Sequence, residues 1–231
     1  MKRSLIAALA VFLVALLSGG EAAARAKQNS LGARLEAWAD EQSVTGGVSY
    51  SGVFFDRGYY EDFFGKEWFP LLRFHGGWAP IENLYLGWSV GGMFETGRAI
   101  GELTGERGEA RVQLYVLPVQ LNLRYRFKFM DNQAVVPSVW VGYDWWRFQE
   151  RVDREDDLDG DKTGWHWGAD LAFLLDLLDP DAAAGMKRDF GITDTYLFLG
   201  YEQMQVGRDE RGFDFSGAVF MVGLRFDVEA R

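Results

Sequence analysis

Residues 115–127 read Tyr-Val-Leu-Pro-Val-Gln-Leu-Asn-Leu-Arg-Tyr-Arg-Phe, and the alternation in this stretch decides the fold. The odd positions, from Tyr115 to Phe127, are apolar, whereas Pro118, Gln120, Asn122, Arg124 and Arg126 fill the even ones. A strand sends successive side chains to opposite faces, so this is one long strand with an apolar face and a charged face. It exceeds the usual strand of about 5–6 residues.

Similar segments surround it. Strands are predicted at 47–56, 70–79, 84–97, 111–127, 134–150, 164–175, 194–206 and 213–228. In the third, Leu84, Leu86, Trp88, Val90 and Phe94 alternate with Tyr85, Gly87, Ser89, Gly91, Met93 and Glu95. In the last, Ala218, Phe220, Val222, Leu224 and Phe226 form the apolar face. The connections alternate in length: 56–69, 98–110 and 151–163 are long, while 80–83 and 128–133 are short. Barrels of the bacterial outer membrane show this alternation of short periplasmic turns and long outer loops. The sixth connection, 176–192, is long on the short side. Asp179-Pro180 is a helix start and Gly191 a stop, so a short periplasmic helix capping the barrel is expected there.

The N-terminus carries an export signal. Met1-Lys2-Arg3 is basic, Leu5–Leu17 is unbroken apolar sequence, and Ala22–Ala26 offers small-x-small cleavage sites after Ala24 or Ala26. The apolar stretch falls short of the ~20 residues of a spanning helix. The expected organisation is a signal peptide at 1–24, a periplasmic segment at 25–45 that is helical over 27–42, a barrel at 46–228 and a tail at 229–231. Without cysteine there is no lipid anchor, disulfide or thiolate metal site. Aromatic residues make up 16% of the chain, too many for an ordinary soluble domain, and the net charge of −10 argues against a nucleic-acid partner.

Alternation alone does not say which face points outward; a soluble barrel would turn its apolar face in. The charges favour the opposite arrangement. Arg73, Arg124, Arg126 and Arg225 lie on polar faces, as do Glu95, Asp144, Asp170 and Glu202, so they form a lumen network that pairs across a narrow interior. Aromatic residues at strand ends (Trp78, Tyr125, Phe127, Trp145, Trp146, Trp165 and Trp167) suit an interfacial girdle. The class is therefore all-β: an eight-stranded antiparallel up-and-down transmembrane β-barrel with one short periplasmic helix, in the cell outer membrane.

The segments YVLPVQLNLRYRF (115–127), VGYDWW (141–146), WHWGADLAFLLDLLDP (165–180) and TYLFLGYE (195–202) carry a resemblance. Over residues 45–228 the chain resembles small outer-membrane barrels of the OmpA, OmpX and OmpW-like superfamily. Within it, the chain looks closest to a myxobacterial and deltaproteobacterial family of uncharacterised barrels. The resemblance implies fold and address but no reaction. It also implies outer-membrane lipid, lipopolysaccharide and the barrel-insertion machinery as partners. Such barrels usually end on an aromatic residue, whereas here Asp-Val-Glu-Ala-Arg follows Phe226.

Candidate chemistry is sparse. His75 and His166, with Ser89, Ser138 and Glu95, offer the residue types of a hydrolytic set, but no nucleophile motif surrounds either serine. Glu155, Asp157, Asp159 and Asp161 imitate the start of a calcium loop, with His166 where a bidentate Glu belongs. A solvated acidic loop is the simpler expectation, and no cofactor or dedicated metal is expected. The first long loop, with Tyr59, Tyr60, Phe63, Phe64, Trp68 and Phe69, offers either an extracellular partner site or packing on the rim. A non-enzymatic structural or surface-interaction role leads. A narrow pore for small solutes and a lipid hydrolase are the alternatives.

Overall fold

The computed structural model describes residues 43–57, 59–100, 107–130, 132–152, 157–208 and 213–229. The signal peptide, the helix expected at 27–42 and Glu155 lie outside the described residues. Eight antiparallel strands close on themselves in sequence order: β1 (Ser43–Phe55), β2 (Phe69–Ile81), β3 (Leu84–Ile100), β4 (Arg107–Arg126), β5 (Val135–Val152), β6 (Leu158–Leu174), β7 (Ile192–Val206) and β8 (Gly217–Glu229). The seam joins β1 to β8 from Ser43↔Glu229 to Phe55↔Gly217. Asp227, Val228 and Glu229 are therefore part of the last strand.

The stretch around Tyr115 behaves as its pattern requires. Gln120 and Arg126 are buried inside, while Leu121, Leu123 and Tyr125 are exposed on the wall. Every strand repeats the inversion, with Phe74, Leu86, Val141, Leu199 and Phe220 outside and Arg73, Ser89, Asp144, Glu202 and Arg225 inside. A soluble barrel has the reverse distribution, so the apolar faces line no cavity. Eight strands leave an interior that side chains fill. Close approach decides some positions. At Gly168 a Cβ would stand 2.4 Å from the Trp140 ring and 2.6 Å from the Tyr201 carbonyl oxygen.

Several expectations are corrected. The segment 213–216 pairs with no strand and folds inward, with Phe215 buried. The connection read as 151–163 is mostly ladder: β5 and β6 pair out to Glu150↔Leu158. Its charges mimic a loop, but alternate ones face each other across strands. The first long connection holds a helix, α1 (Tyr59–Phe64), that the sequence reading did not anticipate. The helix expected in the sixth connection, α2 (Pro180–Phe190), is capped by Asp179, whose carboxylate accepts from Ala182 N–H at 2.9 Å, and ends at Gly191 with φ 72°. None of its residues is buried, and it packs against β7.

Candidate functional site

The interior has two storeys. The lower one, nearer the short turns, holds the charges. Arg126 donates to both Asp227 oxygens at 2.9 and 2.8 Å, and its guanidinium lies 4.1 Å from the Tyr85 ring. Asp170 receives Arg124 and Arg225, the latter at 2.5 Å, together with the Ser138 hydroxyl. Above it, Arg73 donates to Gln120 Oε1 and Glu202 Oε1, each at 2.9 Å. Gln120 Nε2 donates to Glu202 and to Asp144, and Asp144 Oδ2 lies 2.7 Å from His166 Nδ1. The chain thus links β2, β4, β5, β6 and β7 across the lumen. Each guanidinium has a carboxylate at hydrogen-bond distance, which a buried ion requires if it is not to be costly, although Arg73 Nε and Nη2 and Arg126 Nε are buried without a partner of their own.

The upper storey is aromatic. Tyr60 of α1 is buried and stacks on Phe55 at 4.2 Å, with Phe69, Phe213 and Phe215 around it. Trp146 meets Phe215 at 5.4 Å. The strap carrying Phe215 is tied down at Asp214, which receives Arg57 Nε and the Ser216 N–H, each at 3.0 Å. Burial alone would raise the Asp214 carboxyl, but the bonds from Ser216 and Arg57 outweigh it and hold it below the usual carboxylate range. Within the lower storey, against the wall, the cavity beside His75, Arg124, Arg126 and Arg225 measures about 30 Å³. That is room for a water, not for a solute path.

The residues singled out in the sequence fall as follows. Arg73, Arg124, Arg126, Asp144, Asp170, Glu202 and Arg225 meet inside. Glu95 sits higher, with its partner Lys66 at 2.5 Å. Trp145, Trp165 and Trp167 face outward at 36%, 45% and 45% exposure, and Tyr125 is also on the wall, where it meets Phe127 edge-on at 5.0 Å. Trp78 is half-buried. Trp146 is no girdle residue. Its neighbour Trp145 points out, so the strand period sends Trp146 into the lumen, where it is 1% exposed. Asp157, Asp159 and Asp161 are exposed and engaged by Arg147 and Arg151, as at Arg147–Asp159, 2.9 Å. Among the described residues no acidic or histidine cluster is arranged to hold a metal. The first loop turns Tyr60 and Phe69 inward and leaves Trp68 exposed.

The proposed hydrolytic set is not assembled. Ser89 donates to Gln120, Ser138 to Asp170, and neither reaches a histidine. Sequence reasoning missed the contact His75 does make, Ser49 Oγ at 2.6 Å from its Nε2. Ser49 stands opposite Arg73, two residues from His75 in the register and on the same face, which composition does not reveal. The pair is enclosed in the lumen wall with no room for an acyl substrate.

No protein-family model and no curated protein matches this chain. Solved structures do. The outer membrane protein OprG from Pseudomonas aeruginosa superposes with a TM-score of 0.55 at 13% identity, covering 81% of this chain and 96% of that one. The N-terminal β-barrel domain of Pseudomonas aeruginosa OprF gives 0.48 at 11% identity, over 80% and 96%. Ail, the attachment invasion locus protein of Yersinia pestis, in complex with the heparin analogue sucrose octasulfate, gives 0.44 at 12%, over 80% and 97%. The likeness is one of fold. This chain is a small eight-stranded antiparallel barrel of the outer-membrane type. The narrower resemblance to myxobacterial and deltaproteobacterial barrels rests on its motifs alone.

Proposed function

We propose that this chain is a non-enzymatic barrel of the outer membrane, with a closed lumen and a structural or surface-contact role. One observation carries the reading: an apolar wall surrounds an interior sealed by wall-to-wall ion pairs below and packed rings above. Such a wall is stable only against lipid, since apolar surface of this extent in water would drive association. A closed barrel satisfies every backbone group there without a spanning helix. No helix among the described residues is long and apolar enough to cross a membrane.

The sealed interior places this reading ahead of a narrow pore. Arg124 and Arg225 share Asp170 in the cross-section a solute would need. The test combines heat-modifiable migration of the protein from an outer-membrane fraction with conductance in planar bilayers. The expected result is a folded species of altered mobility and no steady single-channel current. A large, steady conductance would overturn the closed-lumen reading. Recovery of the protein from the soluble fraction, with no mobility shift, would overturn the address.

A further inference from the structure

The lower storey holds more positive than negative charge. Arg124 and Arg225 share one carboxylate, Asp170, while Arg126 takes another, Asp227, so three guanidinium groups meet two carboxylates. The next carboxylates up the lumen are engaged elsewhere, Glu202 by Arg73 and Asp144 by His166. One positive charge is left without a local counter-ion, and a charge buried uncompensated is costly.

The same three arginines line the cavity of about 30 Å³, together with His75. Among the described residues no carboxylate lines it. Glycine makes the space. Inward positions on adjoining strands carry no side chain: Gly47 stands opposite both His75 and Arg225, and Gly77 stands between Thr45 and Gly87. Aromatic rings hold the cations in place. Arg126 lies over the Tyr85 ring at 4.1 Å and Arg225 over Phe198 at 4.7 Å, and both rings belong to the lining. Two buried polar atoms of lining residues have no hydrogen-bond partner, Arg126 Nε and Asn122 Oδ1.

Charge decides between two occupants of suitable size, a water and a small anion. A water needs about 10–15 Å³ of such space, and chloride is only slightly larger. Water would accept from Arg126 Nε and donate to Asn122 Oδ1, but it would leave the surplus charge in place. An anion accepts from Arg126 and cancels that charge, and a half-turn of the Asn122 amide gives it a second donor. In an interior of low dielectric the charge is the larger effect. We propose that this cavity binds a monovalent anion of chloride's size, the counter-ion that lets three arginines share one storey. Phosphate and organic anions are too large for it. The proposal rests on the closed lumen and not on the membrane address.

The test is urea unfolding of the barrel in phosphatidylcholine vesicles at constant ionic strength, with sodium chloride replacing sodium gluconate, whose anion does not fit the cavity. A ligand bound by the folded state alone raises the folded-to-unfolded ratio in proportion to its concentration once the site is filled. A tenfold rise in chloride is therefore expected to raise that ratio about tenfold. Equal stability in the two salts overturns the proposal, whereas failure of the closed lumen reads separately, as steady conductance. Asn122→Leu keeps the shape of the side chain and turns methyl groups to the site, so it is expected to flatten the chloride dependence. A dependence that persists in the folded variant puts the anion elsewhere and overturns the site. Should the variant fail to fold, crystals of the wild type grown in sodium bromide decide. An anomalous bromide peak in the arginine-lined cavity is expected there, and an ordered water without anomalous signal overturns the anion.

Discussion

Replacing Glu202 by Ala probes how dry the lumen is. The Arg73 and Glu202 side chains are 2% and 3% exposed, so water cannot substitute for the lost carboxylate. Arg73 would keep one acceptor, Gln120 Oε1, and Gln120 Nε2 would keep Asp144. The Trp140 indole N–H, 3.2 Å from Glu202 Oε2, would lose that acceptor. Breaking a buried pair and stranding its partner costs about 3–5 kcal/mol, whereas replacing both members by apolar groups of similar volume is often neutral or stabilising. Glu202→Ala is therefore expected to lower stability by about 4 kcal/mol. The double variant Arg73→Met, Glu202→Met should recover most of that loss. The assay is urea unfolding in lipid vesicles, followed by tryptophan fluorescence and by the fraction of heat-modifiable protein. A loss below about 1 kcal/mol for Glu202→Ala, the range of solvated pairs, would show that water reaches Arg73 and would refute a sealed lumen.

Three further outcomes follow from the same geometry. Because the folded Asp214 carboxyl is held below its ordinary range, the strap gains stability that is complete above the unfolded carboxylate pKa and lost as pH falls through the lower folded one. Trp146 emission, reporting on Phe215, should change at acid pH, and Asp214→Asn should abolish that transition; an unchanged transition in the variant would assign it elsewhere. Gly168→Ala forces a Cβ to within 2.4 Å of Trp140 and should cost about 1–3 kcal/mol, while Gly92→Ala, with nothing within 4 Å, should stay within about 0.5 kcal/mol in the same urea assay. In single-tryptophan variants, brominated lipid chains should quench Trp167 and spare Trp146; equal quenching would refute the assigned faces.

The parity of residues 115–127 carried strand existence and facing because a period of two survives any tertiary context. Strand ends were less legible. The polar faces of β5 and β6 above the girdle look like a loop until Arg147 is seen opposite Asp161, and that pairing needs the register. The aromatic alternation at Phe213 and Phe215 imitates a strand, yet both rings are drawn to Phe148 inside the mouth. Trp146 was readable and misread, since adjacent residues of one strand cannot share a face. The lumen charges could be named individually, but their partners could not, because Arg73–Glu202 joins strands distant in sequence. The pairing of β3 with β4 out to Ile100↔Arg107 was hidden for another reason: 98–110 reads as a loop.

The seam between β1 and β8 gives this barrel its time course. Ser43↔Glu229 joins the two ends of the described chain, so closing the ring takes a pairing of very long sequence separation. Arg126 meets Asp227 across the closed ring, from β4 to β8. Before closure, those charges would face hydrocarbon through an open side, a state too costly to persist. Closure is governed by a contact of very long sequence separation and is expected to be correspondingly slow. The reverse step must break the seam and strand the same ions together. Once closed, the ring is expected to reopen slowly, so its persistence is a matter of rate as well as of equilibrium stability.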